Sequence, residues 1–77
     1  MEMNQKQAAI TAVIELETKL RFDRGHDGAR TLTQPDCDSA RAFVNAAGHL
    51  LLPIVHSTLL LRIEGAERWL AGRGTLE

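Results

Sequence analysis

From Ala42 to Leu61 the chain carries no formal charge for twenty residues, and Pro53 stands in the middle of that run. This segment constrains the fold more than any other. An uncharged stretch of this length must be buried against protein or lie in a bilayer. Asn45, His49, Pro53, His56, Ser57 and Thr58 make it a poor membrane span, because two imidazoles and a freed carbonyl would need partners in lipid. Burial against protein is the expectation, with a small membrane-associated or structural subunit using residues 42–61 as the alternative.

Read by face, the second half of the sequence carries two apolar seams. Ala40, Val44, Ala47, Leu51 and Ile54 follow one another at four-three spacing, continued by Thr58 and Leu61. Leu52, Val55, Leu59, Ile63, Ala66 and Leu70 form the other. At 100° per residue the seams lie roughly 120° apart, and they change over at Pro53. Pro35, Asp36, Asp38 and Ser39 signal a helix start, and Gly72 and Gly74 a stop. One helix over about 36–71 is predicted, kinked rather than broken at Pro53, because Leu52 is a poor N-cap.

Upstream, Ala9, Val13, Leu16 and Leu20 set the stripe of a helix over about 5–22, widened by Ile10 and Ile14. Residues 23–35 hold two glycines and no apolar period, and read as a loop. The fold class follows: an all-α helical hairpin in a single domain spanning residues 1–77. A straight second helix would be roughly 50–55 Å long against about 27–30 Å for the first. The first helix therefore covers only the first seam. Leu52, Val55, Leu59, Ile63, Ala66 and Leu70 are expected to form a homodimer interface, giving a helical bundle of two chains. With 77 residues, a marginal core and one cysteine, oligomerisation is the natural compensation.

Chemistry is sparse. Cys37 excludes an intramolecular disulfide and fits a reducing, cytoplasmic setting, and the N-terminal segment lacks a signal-like apolar core. His49 and His56 stand seven apart and share a helical face, without the i,i+4 spacing that metal ligands want. Asp23, Asp27 and Gly28 fit a calcium loop only in part, since Gly25 and Gln34 occupy ligand positions. No cofactor, metal site or nucleophile motif is read, and no enzyme is expected. A net charge of −1 gives no footprint for nucleic acid. Seven arginines against two lysines suit a GC-rich bacterial or phage genome.

The expectation is a non-catalytic protein-protein interaction module, a regulator, inhibitor or adaptor. It would bind itself and another protein, with Trp69, His49 and His56 as partner contacts. A ligand-binding bundle using the histidine face is the remaining alternative.

Overall fold

The computed structural model describes residues 4–25 and 31–76, the last four as backbone only. It is all-helical: α1 spans Gln5–Gly25, α2 Gln34–Ala46 and α3 Pro53–Leu76. A short 3-10 turn, Gly48–Leu50, lies between α2 and α3. The three helices pack around one core in up-down-up order, with α1 and α3 parallel. Side-chain pairs fix this direction, since Glu17 meets Arg62 and Asp23 meets Trp69 further along both helices.

Each helix begins where local chemistry satisfies its exposed donors. Asn4 caps α1, its side-chain oxygen accepting the Gln7 amide at 2.7 Å. Thr33 stands before α2, and the Asp36 carboxylate accepts both its amide at 3.0 Å and its hydroxyl at 2.9 Å. Pro35 lies in the first turn of α2, where a missing amide costs little.

The long second helix expected from the sequence is two helices. Ala47 closes α2, its carbonyl accepting the Leu50 amide at 2.8 Å, and Leu51 is extended. Pro53 is the first residue of α3 rather than a kink inside a longer rod. The physical reason is that proline pushes its predecessor out of the helical region while its own φ suits a first turn. Leu52 provides no capping side chain, yet its carbonyl accepts the His56 amide at 2.9 Å. That suffices to start the helix.

The break changes what covers the second seam. α3 starts again beside the N-terminal part of α1 and runs along it, so both seams face the same core. Ala40, Val44, Ala47 and Leu51 are buried from one seam, and Leu59, Ile63 and Ala66 from the other. Val55 and Leu70 pack partly against this core. Ala9, Val13 and Leu16 supply the face of α1, while Cys37 and Leu32 are fully enclosed. Within one chain α1 and α2 cover Leu59, Ile63 and Ala66 of the second seam. Leu52 alone of that set is largely bare, at 68%.

An ion pair marks each helix interface. Lys19 bonds Asp36 at 2.7 Å between α1 and α2, and Arg62 bonds Glu17 at 2.9 Å between α3 and α1. Between α2 and α3 the Arg41 guanidinium holds Glu67 through two bonds, 2.8 and 2.6 Å, and Gln34 adds a third at 3.1 Å. Exposed pairs of this kind stabilise weakly, and their larger effect is on register.

Candidate functional site

On α1, the residues just beside the core stripe are Ile10, Ile14, Glu17, Arg21 and Arg24, at steps of four, three, four and three. On α3, Ile54, Thr58, Leu61 and Gly65 follow the same rule. Where α1 and α3 meet, Ile10, Ile14, Ile54 and Thr58 line an apolar groove of about 360 Å³, floored by Val13, Val55 and Leu59. No α2 residue lines it. Four aliphatic side chains are left bare on these two stripes: Ile54 at 73%, Leu61 at 59%, Ile14 at 56% and Ile10 at 37%.

Further along the same pair of helices the lining changes sign. Leu20, Arg21, Arg24, Gly25 and Arg62 surround a cleft of about 560 Å³. Glu17 and Arg62 line both hollows, so their ion pair marks the border between apolar and basic halves. Arg21 has no carboxylate partner among the described residues. Arg24 lies over the Trp69 ring, 5.6 Å from its centroid.

Trp69 owes its position to Asp23. Its indole Nε1–H donates to Asp23 Oδ2 at 2.6 Å, while the Leu32 amide donates to Oδ1 at 3.4 Å. Asp23 is buried, so its charge is held by donors from α3 and from the segment entering α2. This cluster fixes the basic end of the α1–α3 pair. Trp69, expected as a partner contact, is half-buried beside the cleft. His49 is exposed on the 3-10 turn. The His56 ring packs against Gly48, and its Nε2 is buried without a hydrogen-bond partner. The break thus removes the shared helical face expected for the two histidines.

Among the described residues reactive chemistry does not assemble elsewhere. Burial pushes the Cys37 thiol up, and the charges of Glu67, Asp36 and Asp38 add to that. A raised pKa makes a poor nucleophile. Among the described residues no three His, Cys, Asp or Glu side chains gather where a metal ion could be held. Nor is any described helix long and apolar enough to cross a membrane. Residues 42–61 are shared between α2, the turn and α3.

Sequence reading assigned Ile10 and Ile14 to the core and missed the groove they form with Ile54. The available signal was the surplus: α1 carries more aliphatic positions than its narrow buried stripe requires. No family model, no curated protein and no solved structure matches the chain.

Proposed function

We propose that this chain is a non-catalytic protein-binding module whose partner lies along the α1–α3 face. One observation carries the reading: Ile10, Ile14 and Ile54 line one groove with exposed side chains although the core does not need them. They present on the order of 300 Å² of apolar surface, the lower end of the scale at which patches on small proteins mark interaction sites. The groove between them is elongated along two helices, a shape that admits a third helix better than a small solute. A regulator, inhibitor or adaptor acting through one helical docking event fits this geometry. A buried lone cysteine suits a reducing compartment such as the cytoplasm. Self-association through the same face is the homodimeric form of the reading.

The test uses the double variant Ile14→Glu/Ile54→Glu, whose side chains are mostly solvated in the free chain. Its circular dichroism and melting should match the parent. Sedimentation velocity of the chain alone, and anisotropy of a labelled amphipathic helical peptide, report docking. Parent binding of either kind that disappears in the variant supports the proposal. A parent that neither self-associates nor binds apolar helices at high micromolar concentration refutes it.

A further inference from the structure

The α1–α3 face is asymmetric from end to end, and that asymmetry bears on what occupies it. Reading α1 along the face gives Ile10, Ile14, Glu17, Arg21, Arg24, apolar first and basic last. The parallel stripe on α3 is apolar over the same half, and Arg62 points its charge to the shared border. From Ile10 to Arg24 the face is roughly 21 Å long, about four helical turns.

We infer that the occupant is an amphipathic helix with an acidic first turn, docked antiparallel to α1 and α3 as the fourth helix of the bundle. This rests on the protein-binding reading and adds chemistry and direction to it. The α1–α3 pair already has α2, antiparallel to both, on one side, and the groove lies on the other. A helix laid there antiparallel completes an up-down-up-down arrangement. Its apolar stripe meets Ile10, Ile14 and Ile54. Its N-terminus falls on Arg21, Arg24 and Arg62, where carboxylates meet guanidinium groups and also suit their own helix dipole.

Gly65 fits the same picture. It lies inside α3 on the groove-side stripe, and a Cβ built there meets nothing within 4 Å. Glycine weakens a helix interior, and no contact among the described residues requires it. The open position leaves room for a second backbone to pass close by.

A second copy of the chain fits less well. A two-fold axis across the groove sets the arginine end of one copy against the start of α1 in the other. There Asn4, Gln5, Lys6 and Gln7 are exposed, with no carboxylate among them. An axis along the groove sets arginine against arginine. A lipid surface fits less well too, since an interfacial helix carries its basic residues along the flanks of the apolar face rather than at one end.

Three labelled peptides of about 18 residues test the inference, all with the same leucine stripe. One has glutamates in its first turn, one has glutamines there, and one has the glutamates in its last turn. The first should bind the parent about tenfold more tightly than the second, and the third no better than the second. Raising salt from about 0.05 to 0.5 M should erode that advantage, as expected of exposed charge pairs. Arg21→Glu, at a position without a carboxylate partner among the described residues, should abolish the advantage while leaving melting unchanged. Ile14→Glu should weaken all three.

Equal binding of the first two peptides overturns the acidic partner and leaves the docking face standing. Equal binding of the first and third overturns the direction. If none binds and the chain does not self-associate, both this inference and the reading beneath it fall. Self-association that Ile14→Glu abolishes, or binding to phosphatidylcholine–phosphatidylglycerol vesicles, in either case without peptide binding, assigns the face to another occupant and overturns the inference.

Discussion

Ile63 decides whether the second seam belongs inside one chain. It is completely buried between the helices, whereas Ile54, nine residues earlier on α3, is mostly solvated. Replacing Ile63 with alanine removes three carbons, about 2.4 kcal/mol of lost burial at 0.8 kcal/mol each. A partly collapsed cavity adds about 1 kcal/mol, so the cost should be about 3–4 kcal/mol. A chain of 77 residues has a total stability of about 4–11 kcal/mol, so this substitution removes much of it. The melting temperature should fall by about 15–25 °C. Ile54→Ala should cost under about 0.5 kcal/mol. Urea denaturation followed by circular dichroism, at protein concentrations differing by two orders of magnitude, measures both. A seam held inside one chain gives midpoints independent of concentration. A midpoint that climbs with concentration, or an Ile63→Ala variant as stable as Ile54→Ala, would refute the reasoning.

Three further outcomes follow from contacts elsewhere. Trp69→Phe keeps most of the ring but removes the donor to the buried Asp23 carboxylate, and should cost about 1–3 kcal/mol in urea melts. Acidification should also destabilise the bundle. The Arg41 guanidinium, then Gln34, hold the Glu67 carboxyl below its usual range, and Lys19, then Thr33, do the same for Asp36. Their contribution is complete above the ordinary carboxylate pKa and is lost as pH falls through the lowered folded values, from about pH 4 downward. Glu67→Gln should flatten that part of the stability–pH curve, and an unchanged slope would show that the pair contributes nothing. Cys37 should resist Ellman's reagent at pH 8 until denaturant is added, because the thiol is both buried and raised. Rapid labelling of the native chain would contradict its placement.

How much of this was legible in the sequence differs from one helix to the next. The stripe Ala9, Val13, Leu16 gives α1 correctly because a 3.6-residue period survives any tertiary arrangement. Of the later seams, Ala40, Val44, Ala47 and Leu51 from the first and Leu59, Ile63 and Ala66 from the second are buried, while Ile54, Thr58 and Leu61, read as continuing the first, are exposed. The seams' offset around a single imagined helix was the signature of two helices, each turning its own face to a common core. Gly48 and Pro53 together were the stop and the start. Judging the start by the missing cap at Leu52 gave too little weight to proline at a first helical position. Leu32 and the Asp23–Trp69 bond could not be found this way. Leu32 sits alone in a stretch without period, and the bond joins residues 46 apart. For the proposed binding face, sequence reading offered Trp69 and the histidines. The groove needed α1 and α3 to be set side by side and parallel, which no local pattern encodes.

That parallel pairing has a consequence for how the chain acquires its structure. α1 and α2 form a hairpin joined by a short connection, so Lys19 finds Asp36 across only 17 positions. α3 must bring Arg62 to Glu17 and Trp69 to Asp23 across 45 and 46 positions. Closing the larger loop costs only modestly more entropy, about 0.6 kcal/mol per doubling, but it gains nothing until the hairpin offers a surface. The expectation is a folding order in which the α1–α2 hairpin, closed across the fewest positions, forms the template and α3 arrives last. Interactions made by the late arrival govern how quickly the assembled chain comes apart more than how quickly it forms. The Asp23–Trp69 bond is in this sense a latch on unfolding, and the lifetime of the folded state is set at the far end of the helix that docks last.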